Sequence, residues 1–258
     1  MREIRDLTYL KRPRSALALD LFLPGGPARA AVVFAHGGGF FKGQRQGADV
    51  DRLAALLTGR GFAMASLSTR LGTTISEFPA LQQDAIRTHA ARSRKAGLTL
   101  APRLYGPAFE AARQDLAAGI AWLRSHATTY DITSDKVGIV GVSAGGIAGL
   151  SLAYPPRNLP TEARPDAVLA ISACMVQPWR LHAGGPPCLL LNSAVDRIVP
   201  PENPRLTLHR ARTTGAPVTG LTCARNGHNP PFQALLEDRH TDGTPYANHM
   251  TNLFTAML

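Results

Sequence analysis

Apolar runs recur along the chain at spacings that suit alternating strands and helices. The strand-like runs are "ALALDLFLP" (16–24), "AAVVFA" (30–35), "FAMASLS" (62–68), "KVGIVGV" (136–142), "DAVLAISACMV" (166–176), "PCLLLNS" (187–193) and "PVTGLTC" (217–223). Several are apolar throughout rather than alternating with polar positions, as expected of strands covered on both faces. Helical periodicity lies between them. "DVDRLAALLTGRG" (49–61) predicts a helix with Asp49 as N-cap and Gly61 at its C-terminal stop. "PAFEAARQDLAAGIAWLRSHA" (107–127) places Pro107 in a first turn and Leu116, Ile120 and Leu123 on one stripe. "AGGIAGLSLA" (144–153) is a small-residue helix able to pack closely on a sheet. This β-α-β-α order predicts an α/β fold with a mostly parallel central sheet, flanked by helices on both faces. With no internal repeat and no low-complexity linker, residues 1–258 are expected to form a single domain.

Composition narrows the classes. Apolar residues make up 45% and charged residues 18%, an ordinary globular balance. No apolar stretch is long enough to span a bilayer, and the N-terminal segment lacks the cleavage site of a secretory signal. The three cysteines, Cys174, Cys188 and Cys223, are too scattered for a disulfide framework or a zinc site. All three fall in strand-like runs and are expected to be small buried hydrophobes in a reducing compartment, hence a cytoplasmic protein. The net charge of +10 raises nucleic acid as a partner. The charge is spread along the chain, however, and its densest cluster, "RTHAARSRK" (87–95), has the pattern of one helix face without stacking aromatics. No nucleic-acid partner is expected; the basic surface would instead steer anionic molecules.

Candidate chemistry collects after the strands. Ser143 follows "VGIVGV" within G-V-S-A-G-G (141–146), Asp196 follows "PCLLLNSAV", His228 lies in "CARNGHNPP", and His36 with Gly37, Gly38 and Gly39 follows "AVVFA". Ligands of open parallel sheets bind beyond the carboxyl ends of the strands, so one sheet can gather all of these residues. A serine hydroxyl needs a base to become a nucleophile. His228 would take its proton, and Asp196 would hold the other ring nitrogen and stabilise the imidazolium. The order serine, acid, histidine matches this architecture. Acyl transfer also creates an oxyanion; the backbone N–H groups of Gly37, Gly38 and Ala144 are the candidate donors, with His36 bracing the loop.

Taken together, H-G-G-G at 36–39, G-V-S-A-G-G at 141–146, "AVDRIVP" at 194–200 and "NGH" at 226–228 resemble the α/β-hydrolase superfamily, and within it the esterase/lipase branch with an HGGG oxyanion loop that includes hormone-sensitive-lipase-like enzymes. The resemblance implies a carboxylic ester hydrolase acting on a small-molecule ester without metal or cofactor. Amide or aryl-formamide hydrolysis by the same three residues is the alternative. A catalytically silent binding protein on this scaffold is a further one, against which the retained serine and histidine speak. Two departures matter. Only 35 residues precede His36, and only "QPWRLHAGGPP" (177–187) could cap between the strands that precede it and Asp196, so no large cap domain is expected and short acyl groups should be preferred. "STRLGTT" (68–74) carries Thr69 where the family has tyrosine, and extra material follows at 77–106. That segment could be a lid, an additional surface helix, plain decoration or an oligomer contact, as in a homodimer.

Overall fold

The computed structural model describes residues 1–12 and 15–258. Eight strands form one sheet: β1 (Arg2–Arg12), β2 (Ser15–Leu23), β3 (Ala31–Ala35), β4 (Ala63–Leu67), β5 (Val137–Val142), β6 (Ala167–Ile171), β7 (Cys188–Ser193) and β8 (Val218–Cys223). Their spatial order is β1-β2-β4-β3-β5-β6-β7-β8. β1 pairs antiparallel with β2 and β2 antiparallel with β4, and every pair from β4 to β8 is parallel. Among the described residues, seven α-helices accompany it: α1 (Ala48–Thr58), α2 (Ala80–Arg94), α3 (Pro107–Ser125), α4 (Ala144–Ala153), α5 (Glu202–Thr214), α6 (Pro230–Glu237) and α7 (Tyr246–Thr255).

Alternation along the strands divides the core into two layers. Ala31, Val33 and Ala35 of β3 join the layer that holds Leu116 and Ile120 of α3 and Ile147 and Leu150 of α4. Val32 and Phe34 face the opposite layer, with Leu53 and Leu57 of α1 and Met250 and Phe254 of α7. Successive side chains leave opposite faces of a strand, so a run apolar throughout needs helices on both sides. The expected mostly parallel sheet between helical layers is what forms.

Several local expectations are corrected. Asp49 is not the N-cap of α1: the cap is Gly47, at a positive φ of 148° that favours glycine, and Asp49 lies in the first turn, where its charge still suits the helix dipole. The helix stops at Gly59 rather than Gly61, which takes a positive φ in the following turn. The strand expected over 166–176 ends at Ile171; the buried residues 172–176 continue as a loop, so Cys174 lies in a loop and not in a strand. All three cysteines are buried and unpaired. β1 was not expected, because its alternation of charged and apolar residues, "REIRDLTYLKR", is interrupted by a bulge at Asp6, whose φ is 59°.

The segment 77–106 contributes α2 and a 3-10 turn at Pro102–Tyr105. Phe78, Ala85 and Ile86 pack on Ala111 of α3 and on Leu159. Beneath it lies a buried ion pair. Arg113 is fully buried and donates to Glu110 (Nε to Oε2, 2.9 Å), to Thr161 and to the Pro160 carbonyl, so α3 is tied to the loop after α4. No described helix is long and apolar enough to cross a membrane.

Removing one partner of a buried pair strands the other charge. Glu110→Ala is expected to lower unfolding stability by about 3 kcal/mol in urea titrations. A loss below about 0.5 kcal/mol would show that Arg113 gains little from this partner.

Candidate active site

The chain turns sharply between β5 and α4. Ser143 takes a left-handed φ of 52° at that turn, a conformation that costs a non-glycine residue about 1–3 kcal/mol and persists only where its surroundings enforce it. The enforcement is visible on every side. Its N–H donates to the Ile171 carbonyl (2.8 Å), and its carbonyl accepts from Ile147 N–H (2.9 Å). A Cβ on Gly145 would lie 2.1 Å from the Ala35 carbonyl oxygen, and one on Gly141 would lie 2.6 Å from the Gly145 backbone. Glycine at both positions lets α4 press against the end of β3. The hydroxyl is thereby lifted above the carboxyl end of the sheet.

Three of the sequence-predicted residues meet there. Ser143 Oγ–H donates to His228 Nε2 at 2.8 Å, and His228 Nδ1–H donates to Asp196 Oδ2 at 2.7 Å. An ionised carboxylate only accepts, so Nδ1 carries the proton and Nε2 is left bare toward the serine. Asp196 Oδ1 accepts from the amides of Ile198 (2.8 Å) and Val199 (3.0 Å). Burial favours the neutral acid, but the bonds from His228, Val199 and Ile198 outweigh it and hold the carboxyl below its usual range.

The glycine loop lies beside the serine. A Cβ on Gly37 would stand 3.4 Å from Ser143 Cβ. Among the described residues, the N–H groups of Gly37, Gly38 and Ala144 donate to no protein acceptor. The loop is held from below. His36 Nδ1–H donates to Gly37 O (2.7 Å); burial pushes this imidazole below its usual range, which that bond only partly offsets, so it is neutral. Gly38 O accepts from Phe41 and Lys42, Phe40 O accepts from Gly72 N–H (2.8 Å), and both Gly38 and Gly39 take positive φ. Behind the loop, between Thr69, Phe40 and Leu116, the remaining space is about 10 Å³, no more than one water needs.

Supporting residues with no motif of their own complete the site. Ser172, buried and itself at a φ of 50°, donates from Oγ to the His228 carbonyl (2.6 Å). Asp115 of α3 accepts from Arg70 N–H (2.8 Å) and Arg70 Nε (2.9 Å), fixing the loop after β4. Fully buried Asp20 accepts from Asp6 N–H and Gln46 Nε2 and forms an ion pair with the Arg45 guanidinium, anchoring the far end of the glycine loop. Asp20 interrupts an apolar run, and that interruption was its signal; Ser172 and Asp115 offered none.

One group with metal-ligand chemistry occurs among the described residues. His240, Asp242 and His249 have their ligating atoms within 4.8 Å of one another, the first two in the connection after α6 and His249 on α7. It shares no residue with the Ser143 site.

Comparison with known proteins adds the following. The BD-FAE family model, of α/β-hydrolase type, matches residues 104–164. No curated protein matches the chain significantly. Among solved structures, a truncated carbohydrate esterase from gut microbiota is similar at a TM-score of 0.70 and 18% identity, over 100% of this chain and 96% of that one. Esterase 2 of Thermogutta terrifontis phosphoramylated by tabun is similar at 0.67 and 18%, over 98% and 92%. The same esterase with propionate bound is similar at 0.64 and 17%, over 96% and 90%. The fold is the α/β-hydrolase fold.

The Asp196 carboxyl titrates lower in the folded chain than in the unfolded one. Its contribution to stability is therefore complete above the unfolded value, about pH 4, and is lost as pH falls through the folded value. Between pH 5 and pH 3, unfolding free energy should fall more steeply for the native chain than for Asp196→Asn. Equal slopes in urea titrations at several pH values would show that the three donors do not stabilise the charged form.

Proposed function

We propose that the protein is a serine hydrolase that cleaves carboxylic esters of short acyl groups through an acyl-enzyme intermediate. The observation that carries this reading is the hydrogen-bonded series Ser143–His228–Asp196 beside three backbone N–H groups that no described residue accepts from. Esterase neighbours of the same fold support it, one of them phosphoramylated by tabun and one with propionate bound.

In this reading Ser143 Oγ attacks the ester carbonyl carbon while its proton passes to His228 Nε2. Asp196 stabilises the resulting imidazolium. The carbonyl oxygen, now an oxyanion, is received by the N–H groups of Gly37, Gly38 and Ala144, the last at the N-terminus of α4, where the helix dipole assists. Collapse expels the alcohol oxygen, which takes the proton from His228. Water, deprotonated by the same nitrogen, then attacks the acyl carbon; collapse expels Ser143 Oγ, which takes that proton back from His228 as the acid leaves. His36 commits its Nδ1–H to the Gly37 carbonyl and acts through the loop it braces. The buried, unpaired cysteines suit a reducing compartment, and we assign the cytoplasm on that ground.

The connections support the short-acyl preference. Only residues 172–187 link β6 to β7, so no cap encloses a long chain on that side. Each added methylene contributes about 0.8 kcal/mol only where a wall receives it.

Ser143→Ala should lower kcat by about 10⁴–10⁶-fold with an unchanged melting temperature, and a serine-directed organophosphonate should label Ser143 alone. Labelling elsewhere, or activity kept by the alanine variant, would remove the nucleophile assignment. Across 4-nitrophenyl esters, kcat/KM should stop rising at roughly six carbons. A value still climbing beyond about ten carbons would overturn the short-acyl preference.

A further inference from the structure

A cavity of about 550 Å³ lies between the glycine loop and the 77–106 segment, within the size range of small-molecule sites. Phe41, Ile86 and Tyr105 supply apolar wall, and Arg87, Arg94 and Arg103 stand on its exposed rim. No acidic residue lines it. Of the acids nearest in sequence, Glu77 accepts from the N–H of Thr74 (2.7 Å) and Glu110 is paired with Arg113 (2.9 Å). Arg87 is partnered by Asp84 (2.9 Å), whereas Arg94 and Arg103 form no ion pair among the described residues. Two guanidinium groups without counter-charge thus face one cavity, on a chain whose net charge is already +10.

The cavity adjoins the candidate active site. A Cβ on Gly39 would stand 3.5 Å from Arg103 Nε, and Gly39 is two residues from Gly37, at most about 7 Å of backbone. Phe41, on the same loop, forms part of the cavity wall and lies 3.8 Å from the Cβ position of Gly72. An ester held at Ser143 could therefore extend one end past the loop into this space.

We infer that the cavity receives a carboxylate carried by the substrate, so that the ester cleaved at Ser143 is one with an apolar body and an anionic end, held by Arg94 and Arg103. The inference rests on the hydrolase reading for its chemistry and on the cavity for its specificity. Arginine suits the task because its planar fork matches a carboxylate with two parallel bonds. One or two such forks satisfy a carboxylate, while aliphatic and aromatic walls take the body that carries it. Long-range attraction from the basic surface would act in the same direction by raising the encounter rate.

The test compares two pairs of esters: 4-acetoxybenzoate with its methyl ester, and 4-nitrophenyl hydrogen glutarate with 4-nitrophenyl pentanoate. The first pair places the charge on the alcohol side and the second on the acyl side. In Arg94→Gln/Arg103→Gln, the anionic-to-neutral ratio of kcat/KM should fall about tenfold in at least one pair, chiefly through KM, and the difference from the native chain should shrink in high salt. An unchanged ratio in both pairs overturns the inference. Binding is measured separately by calorimetry on Ser143→Ala, with 4-hydroxybenzoate and glutarate as probes. At least one acid should bind, and more weakly once both arginines are also replaced. Failure of every ester to turn over would refute the hydrolase reading while leaving this titration to decide the cavity; no binding, or binding indifferent to the arginines, overturns it. Both arginines are exposed and unpaired, so their replacement leaves the fold intact.

Discussion

Everything at the carboxyl edge of this sheet depends on one close approach, that of Gly145 to the end of β3. With 2.1 Å between its Cβ position and the Ala35 carbonyl oxygen, any side chain would push α4 away from the strand. The approach allows the turn at Ser143 to close, and closure forces the left-handed backbone that lifts the hydroxyl. It also sets the N-terminus of α4 beside the glycine loop, so that one contact brings together the serine and the backbone donors. Gly146 repeats the constraint on the other side, where a Cβ would stand 2.7 Å from Ala173.

The end of β6 then ties the remaining loops to that turn. Ile171 accepts from the Ser143 N–H, Ser172 donates its N–H to the Leu191 carbonyl, and its hydroxyl reaches the His228 carbonyl. Two adjacent residues thus connect the loop of the serine, the strand leading to the acid and the loop of the histidine. A second support holds the opposite rim: Asp115 fixes Arg70, and Asp20 fixes Arg45 and Gln46. These carboxylates are fully buried, yet each accepts several donors, which is the condition for burying a charge.

Much of this was legible in the residues, for stateable reasons. The parallel strands announced themselves because burial on both faces leaves no polar alternation, and α4 matched its expected bounds because glycine and alanine there answer to packing. Ser143, Asp196, His228 and the glycines stood out because steric demand and chemistry restrict residue type at such positions. β1 escaped notice because an edge strand with one wet face and a bulge loses clean periodicity. Residues 172–176 looked like strand because they are buried and apolar, but burial alone does not distinguish a covered loop from a ladder. Ser172, Asp115 and Arg70 act through hydrogen bonds to residues distant in the chain, and no local pattern encodes such partners. Arg94 belonged to a charge run with the pattern of a solvated face, and Arg103 lay outside any motif; only the folding of 77–106 back toward the glycine loop sets them on one cavity.

The parallel half of the sheet has a further consequence for how the molecule comes into being. β1 and β2 form a hairpin from neighbouring residues, whereas β3, β5, β6, β7 and β8 each join a partner through a long crossover. Such non-local pairing is slow, because loop closure must precede the contacts that reward it. The loops that carry Gly37, Ser143, Asp196 and His228 follow four of these crossover strands, and His228 follows the outermost, β8. During vectorial synthesis the serine and glycine loop emerge well before the acid and the histidine. On the proposed hydrolase reading, a nascent or partly folded chain would hold Ser143 without its base, and reactivity would be withheld until the last strand has docked.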